Sequence, residues 1–264
     1  MATKNNTLPF TEYRNGNTPL VFLHGLMEDA RMWADFLSDL PFRCIAMDLP
    51  GYGKAQDKSF ESVSAAAAAV HETIQDLELQ NFILIGHSMG GYVGLSYLNQ
   101  FPSSLMGLGM IHAHPFADSE EKRAERDKAI QFIEKFGLGI YAQQFFPSLF
   151  ARSYKDNLAI HTLSLRSTQL NQERIIESIR SLKHRPDLTK TVIENALPTL
   201  WILGTEDKLV DLDRTAEVAA KSDQTQIEIY ENVGHMSMFE HTKVLRKDLI
   251  RFVRFCEQVG LASD

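Results

Sequence analysis

Ser88 is the residue whose surroundings most clearly suggest chemistry. It lies in Gly86-His87-Ser88-Met89-Gly90, directly after the apolar run FILI and before a helical pattern. A serine here is either an ordinary turn residue or a nucleophile that the turn presents. Gly-x-Ser-x-Gly between a strand and a helix is the pattern of a nucleophile elbow, in which a Cβ at 86 or 90 would clash with neighbouring chain. The flanking elements favour the nucleophile.

A serine nucleophile needs a base, and the base needs a carboxylate that orients it. His235 follows the apolar run QIEIY, and Asp207 follows TLWILG. Because ligands bind at the carboxyl ends of parallel strands, both side chains are expected at the same edge as Ser88. Glu206 and Asp211 are rival acids, but Asp207 is preferred because it lies just beyond its strand.

Acyl chemistry also requires hydrogen-bond donors for a developing oxyanion. The turn His24-Gly25-Leu26 follows the first long apolar run, and Met89 follows the serine. The backbone N–H groups of Leu26 and Met89 are therefore the predicted oxyanion donors. His24 is expected to brace its own loop by hydrogen bonding.

Short apolar runs alternate with helical patterns along the chain, which predicts an α/β fold with a doubly wound, mostly parallel sheet. Strands are predicted at 10–14, 20–25, 44–49, 82–87, 108–113, 199–204 and 226–230. Helices are predicted at 61–79, 90–101 and 244–255, and in a stripe capped by Asp29 that comprises Met32, Trp33, Phe36, Leu37 and Leu40.

Residues 115–190 break the alternation because only helical patterns occur there. Asp118 and Glu121 fit a variant of the capping box, opening a helix that ends before Gly137. Further helices are predicted near 139–150, 156–170 and 172–184, the last capped by Asn171. This predicts a core formed by 1–114 and 191–264, with an all-helical cap of 115–190 inserted over one edge of the sheet.

The cap is rich in phenylalanine, which could line an apolar acyl or aromatic pocket. For any single residue, a place in the cap's own core is the simpler interpretation. The substrate-binding candidates are His114, Phe116, Phe132, Phe136, Tyr141, Phe145 and Met236. His112 and His114 form a His-x-His pair, but without a third ligand nearby no metal site is predicted.

The net charge disfavours two classes of partner. The 264 residues are 44% hydrophobic and carry a formal net charge of −7, which disfavours nucleic acid and anionic membranes.

The sequence also bears on the location of the protein. The opening MATKNNTLPF lacks the pattern of a secretory signal, and no apolar run is long enough to cross a bilayer. Cys44 and Cys256 suggest buried thiols rather than a disulfide framework. A cytoplasmic protein with a small-molecule acyl substrate and no cofactor is expected, and its oligomeric state is left open.

These motifs resemble those of the α/β-hydrolase fold superfamily, in particular esterase-like serine hydrolases with a helical cap. The matching segments are HGL (24–26) with Trp33, DLPGYG (48–53), GHSMGG (86–91), GTEDKLV (204–210) and VGHM (233–236). The resemblance implies nucleophile, acid and base at Ser88, Asp207 and His235, and oxyanion donors at Leu26 and Met89. Serine at the elbow departs from dehalogenase and epoxide-hydrolase relatives, whose nucleophile is aspartate, and disfavours those chemistries.

The sequence thus predicts a serine hydrolase that cleaves a small carboxylic ester through an acyl-enzyme. Thioesterase, amidase, perhydrolase and carbon–carbon bond hydrolase activities remain open, because the same triad can run them. A ligand-sensing receptor with this fold and little turnover is the alternative from a different class.

Overall fold

A computed structural model describes residues 7–14, 16–154 and 156–261, without the side chain of Asn157. These residues contain seven strands close to the predicted positions. The strands are β1 (Phe10–Tyr13), β2 (Pro19–Leu23), β3 (Arg43–Met47), β4 (Phe82–His87), β5 (Leu105–Ile111), β6 (Thr199–Gly204) and β7 (Thr225–Tyr230). The prediction that the opening stretch is not a secretory signal concerns residues 1–10, and residues 1–6 lie outside the described part of the chain.

The seven strands form one sheet in the order β1-β3-β2-β4-β5-β6-β7. β1 runs antiparallel to β3, with Phe10 opposite Met47, whereas every other neighbouring pair is parallel. The carboxyl ends of β2 to β7 therefore meet at one edge, as predicted. Chain segments that are far apart in sequence can place side chains together there.

Eleven α-helices flank or cover this sheet in the described residues. They are α1 (Ala34–Leu37), α2 (Val63–Asp76), α3 (Met89–Gln100), α4 (Glu120–Phe136), α5 (Leu138–Leu149), α6 (Asn157–Ser167), α7 (Gln172–Lys183), α8 (Thr189–Glu194), α9 (Leu212–Ala219), α10 (Ser237–Glu240) and α11 (Thr242–Leu261). Helices α8, α9 and α10 had no counterpart in the sequence prediction, since all three are short.

Helices pack on both faces of the sheet, which confirms the doubly wound architecture. A Cβ at Gly107 of β5 would lie 2.6 Å from Cys256 Sγ of α11, whereas Gly94 of α3 packs against the next strand residue, Leu108. Successive strand residues point to opposite faces, so α3 and α11 lie on opposite sides. The absence of a side chain at Gly107 lets α11 approach β5 closely.

Helices α4 to α8 fill the segment between β5 and β6, where the described residues contain no strand. Asn171 caps α7 as predicted. The predicted capping box at Asp118 is wrong: Ser119 caps α4 by accepting the N–H of Lys122. Asp118 instead binds two arginines. The division into a core and a 115–190 cap stays a prediction, and α8 crosses the proposed boundary at 190.

Apolar side chains of the strands and of the helices on both faces form the buried core. The strands β2 and β4 are fully buried, which is typical of parallel strands covered on both sides. The predicted stripe that follows β2 is buried from Met32 to Leu40, and Asp29 caps it by accepting the N–H of Arg31. Among the described helices, none has the length and apolar character required to cross a bilayer.

Candidate active site

Ser88 lies at the sharp turn between β4 and α3. Its backbone has φ 51° and ψ −114°, a conformation that L-residues rarely adopt, and its N–H donates to the carbonyl of Ile111 at 2.9 Å. A Cβ at Gly86 would lie 2.3 Å from the carbonyl oxygen of Gly90, and one at Gly90 would lie 2.5 Å from that of Leu23. The glycines therefore permit the close backbone contacts that this turn requires, as the sequence predicted.

Asp207 and His235 meet at the carboxyl ends of β6 and β7. His235 Nδ1 lies 2.8 Å from Asp207 Oδ2, and the other carboxylate oxygen accepts the N–H groups of Leu209 at 2.8 Å and Val210 at 3.3 Å. Burial opposes ionisation of Asp207, but His235 and the hydrogen bonds to the carboxylate outweigh it and hold the pKa of Asp207 well below its usual range. Asp207 is thus an ionised acceptor that orients the imidazole ring.

The two rival acids are engaged elsewhere. Glu206 accepts the backbone N–H of Arg152 at 2.9 Å, and Asp211 caps α9 through the N–H of Arg214 at 3.1 Å. Of the three carboxylates, Asp207 is the one hydrogen-bonded to His235.

The second ring nitrogen of His235 is free to act on a substrate or on Ser88. With Nδ1–H donating to Asp207, Nε2 carries the lone pair, and it is buried without a hydrogen-bond partner among the described residues. The contact between Ser88 Oγ and Nε2 is therefore not made here. Catalytic hydrogen bonds are often long without substrate and tighten when it binds.

His112 is a residue at this site whose contact with the acid the sequence did not reveal. It directly follows β5, with φ 51°, and its Nδ1 lies 3.1 Å from Asp207 Oδ2. Burial lowers the pKa of His112 to about 4, so the ring is neutral and its one N–H serves Asp207. Its place after a strand was a usable signal, but the sequence could not show which carboxylate it faces.

Of the two predicted oxyanion donors, Met89 follows Ser88 in the chain, and Leu26 lines the same cavity as Ser88. Among the described residues, the N–H groups of Leu26 and Met89 have no hydrogen-bond acceptor. His24 braces the first of these loops as predicted: its Nε2 accepts the N–H of Leu49 at 3.0 Å, and its Nδ1 faces the carbonyl of Gly25 at 2.8 Å. Two unpaired N–H groups beside a serine are what an oxyanion hole requires.

A cavity of about 130 Å³ opens between Ser88 and the helices α4, α5 and α7. Its walls comprise Leu26, Ser88, Tyr92, His114, Lys122, Glu125, Arg126, Ala129, Tyr141, Phe145, Ile179, Leu182 and Leu209. Three of the predicted substrate-binding residues, His114, Tyr141 and Phe145, are on this wall. Burial and the nearby charge of Arg185 lower the pKa of His114 to about 3, so this wall residue is neutral.

The other predicted substrate-binding residues do not border this cavity. Phe116 is buried against His114, with the guanidinium of Arg214 3.7 Å from the centre of its ring. Phe132 packs on Phe136, which is 46% exposed, and Met236 is fully buried. A helical position alone did not distinguish the inner face of the cap from its outer face.

The cavity wall also contains charged residues of α4, although a charged run of this kind is by itself typical of a solvated helix face. Arg126 donates to Asp118, a carboxylate that also receives Arg185 Nη1 at 2.5 Å. Only 1% of the Asp118 side chain and 3% of the Arg185 side chain is exposed. Two guanidinium groups thus share one buried carboxylate, which leaves a net positive charge beside the cavity.

The sequence and fold of the chain match known proteins over most of its length. A model of the alpha/beta hydrolase fold matches residues 18–242. The chain belongs to this family. By family, the protein is a hydrolase, as the motifs around Ser88 predicted.

Relatives within the α/β-hydrolase fold family span nearly the whole chain. The 2-succinyl-6-hydroxy-2,4-cyclohexadiene-1-carboxylate synthase of Enterobacter sp. (strain 638) is 26% identical over 247 residues, covering 89% of this chain and 91% of its own. The 2-hydroxy-6-oxononadienedioate/2-hydroxy-6-oxononatrienedioate hydrolase 1 of Pseudomonas putida is 26% identical over 273 residues, covering 92% of this chain and 90% of its own. A malate-bound thermophilic esterase from Thermogutta terrifontis has the same fold, with a TM-score of 0.88, 24% identity and coverage of 94% and 93%.

One group of side chains in this α/β hydrolase has the composition of a metal site. The potential ligand atoms of His112, Asp207 and His235 lie within 4.8 Å of one another. Both histidines direct Nδ1 at the same oxygen of Asp207, so hydrogen bonds account for the arrangement. The expectation of no metal site stays a prediction.

Proposed function

We propose that the protein is a serine hydrolase that cleaves a small carboxylic ester through an acyl-enzyme, with Ser88 as nucleophile, His235 as base and Asp207 as orienting acid. The observation that carries this proposal is the Asp207–His235 hydrogen bond of 2.8 Å, with Nε2 of His235 left unpaired. The strained Ser88 is next in the chain to His87, whose ring centre lies 5.0 Å from that of His235.

The proposed reaction has two half-reactions. Ser88 Oγ attacks the ester carbonyl while its proton passes to His235 Nε2, and the N–H groups of Leu26 and Met89 stabilise the oxyanion. His235 then gives the proton to the leaving alcohol, so that the acyl group remains on Ser88. Water attacks this acyl-enzyme with His235 again as base, and the acid is released as Ser88 recovers its proton.

The size of the cavity favours a small acyl group. Its volume of about 130 Å³ is below the roughly 300–1,000 Å³ of pockets that enclose drug-sized ligands. The apolar wall formed by Tyr141, Phe145 and Ile179 suits a short hydrocarbon chain rather than a long one.

A panel of p-nitrophenyl esters with acyl chains of two to twelve carbons tests the proposal. We expect the highest kcat/KM at short chains, and a loss of at least about 10³-fold in Ser88→Ala, whose thermal unfolding should match that of the wild type. Equal turnover by folded Ser88→Ala would contradict the mechanism. Absence of turnover by the wild type, with ligand-induced protection of the 115–190 segment from proteolysis, would favour the receptor alternative.

A second candidate is a hydrolase whose substrate carries a carboxylate, attacked at an ester or at a carbon–carbon bond. The net positive charge of the Arg126–Asp118–Arg185 cluster favours an anionic group at that end of the cavity. Two relatives described above are named for compounds with carboxylate groups, and one of those names is that of a dioate hydrolase.

The p-nitrophenyl esters of succinate and of pentanoate are nearly equal in size but differ in charge, so they separate the two candidates. If the substrate is anionic, the wild type should prefer the succinate ester by about tenfold or more, and Arg126→Met should lose this preference while still cleaving the pentanoate ester. A wild-type preference for pentanoate would exclude the second candidate.

A further inference from the structure

His87, the residue before Ser88, lies between two hydrogen-bond acceptors. Its Nδ1 is 3.1 Å from Glu28 Oε2, and its Nε2 is 3.0 Å from the backbone carbonyl oxygen of His235. Glu28 Oε2 also accepts the N–H of Gly25 at 2.7 Å. Only 1% of either the His87 or the Glu28 side chain is exposed. One buried network therefore links the loop of Leu26, the elbow of Ser88 and the loop of His235.

The partners of His87 determine how many protons its ring must carry. A carbonyl oxygen and an ionised carboxylate can only accept hydrogen bonds, so each of the two ring nitrogens must supply an N–H. A neutral imidazole has a single N–H. Its other nitrogen would then be an acceptor that faces a second acceptor, either the Glu28 carboxylate or the carbonyl oxygen of His235. The doubly protonated imidazolium satisfies both contacts, and the charge of Glu28 balances its own.

Electrostatics agree with this assignment of protons. Burial alone would lower the pKa of His87, but the Glu28 carboxylate and the two hydrogen bonds outweigh it and raise that pKa above its usual value. Burial likewise opposes ionisation of Glu28, yet His87 and the N–H of Gly25 hold the pKa of Glu28 below its usual value. Both shifts favour the charged pair.

Gly25 shows how tightly the network is packed. A Cβ at this position would lie 2.7 Å from Glu28 Oε2 and 2.9 Å from His87 Nδ1. The carboxylate and the imidazole thus occupy the space that a side chain at 25 would need. The peptide that leads to Leu26 is thereby held against His87.

We propose that His87 is a permanently charged positioning residue: as a buried imidazolium paired with Glu28, it holds the Leu26 loop and the His235 loop at fixed positions around Ser88. The inference rests on the proposed serine-hydrolase mechanism for its catalytic consequence, but not for the charge state of the ring. Neither nitrogen of His87 is left to contact substrate, so it acts through its neighbours.

Other ionisable groups also face His87. The ring of His235 is 5.0 Å from it and that of His112 is 6.3 Å away, centre to centre, and the Asp207 carboxylate contributes a second nearby negative charge. The edge-on ring of Trp33, 6.4 Å away, adds no titratable group. Glu28 is the only carboxylate among these contacts that is hydrogen-bonded to His87.

The first test measures the charge directly and needs no activity. In nitrogen-15 NMR spectra of the full chain with labelled histidine, His87→Gln identifies the His87 signals by their loss. We expect both ring nitrogens to carry protons at pH 7 and 8 in the wild type. A ring that is neutral at pH 7 would overturn the proposal, whether or not Ser88 is the nucleophile.

The second test separates positioning from stability. Both N–H groups of a glutamine are on one nitrogen, so glutamine at 87 cannot replace donors on two separate ring nitrogens. Glu28→Gln removes the charge while retaining an acceptor for Gly25. In both folded variants kcat on the best ester should fall about 10- to 100-fold with KM changed less than about threefold, because displaced loops misalign the reacting groups. Wild-type kcat in either folded variant would contradict the proposal.

His71→Gln is the matched control for these kinetics. His71 is a half-buried histidine that stacks on Phe101 and bonds the hydroxyl of Tyr97 at 3.0 Å, remote from the network. Its replacement should leave kcat unchanged, even if the unfolding temperature drops. If kcat fell equally in this control, a general loss of stability would explain the effect and the positioning role would be rejected.

Discussion

His112 and His235 direct their Nδ1 atoms at the same oxygen of Asp207, at 3.1 Å and 2.8 Å. One histidine is the proposed base, and the other is neutral and buried at the end of β5. Asp207 is therefore held by a residue from a third strand in addition to its own loop. This contact limits the rotation of the carboxylate that orients His235.

Replacing His112 by Phe should lower kcat by about tenfold or more, since Asp207 would lose one of its hydrogen bonds. Asn provides a control, because it tolerates the positive φ of this position and its amide can donate to the carboxylate. We expect His112→Asn to retain more activity than His112→Phe in steady-state kinetics. Equal activity of both variants and the wild type would refute a role for this hydrogen bond.

Gly90→Ala should destabilise the elbow, because the new Cβ would lie 2.5 Å from the carbonyl oxygen of Leu23. We expect a loss of about 2–4 kcal/mol in the free energy of unfolding, measured with urea. Gly139→Ala is the control. Gly139 belongs to α5, and a Cβ there would make an ordinary contact with Thr168 at 3.5 Å. This substitution should stabilise the helix by about 0.5–1 kcal/mol. Similar effects at both positions would argue against the steric interpretation.

His114 should make stability fall as the solution becomes acidic. Its pKa is about 3 in the folded chain, against about 6.5 in an unfolded chain, so below pH 6.5 only the unfolded state gains the proton. Between pH 6 and pH 4 this linkage costs the folded state about 2.5 kcal/mol. His114→Asn should therefore show a flatter dependence of unfolding free energy on pH than the wild type, and an unchanged slope would refute the assignment.

Asp118→Asn should strongly destabilise the segment between β5 and β6. The substitution leaves the guanidinium groups of Arg126 and Arg185 without the carboxylate they share, at a cost of about 3 kcal/mol or more. The exposed pair of Lys190 and Glu194 offers the comparison, since Glu194→Gln should have no measurable effect. Chemical denaturation of both variants measures the difference, and equal stability would contradict the importance of the buried pairs.

The sheet and its active edge were predictable because their determinants are local. A parallel strand covered on both faces is a continuous apolar run, so β4 and β6 were placed at their observed bounds. Ser88 directly follows β4, and Asp207 and His235 lie in the loops that follow β6 and β7. The parallel order of these strands brings the three positions to one edge. The close backbone contacts at turn glycines such as Gly86 were also predictable, because few other residues tolerate them.

The inner and outer faces of the cap were not predictable in the same way. Phe136 and Phe145 belong to similar aromatic helical patterns, yet Phe136 is exposed and Phe145 borders the cavity. Arg126 belongs to a charged run typical of a solvated face, but it lies beside the cavity with Asp118. Helix packing determines these outcomes, and it depends on contacts between segments distant in sequence.

The sequence by itself determined which strands the candidate residues follow. A serine, an acid and a histidine occur in this order along the chain, each after a different strand. Only the tertiary structure decided which polar groups face one another. It paired His112 with Asp207 and placed His87 between Glu28 and the carbonyl of His235. The physical reason is that a hydrogen bond depends on distances of about 3 Å between atoms, and residues 59 and 148 positions apart reach such distances only when the sheet is assembled.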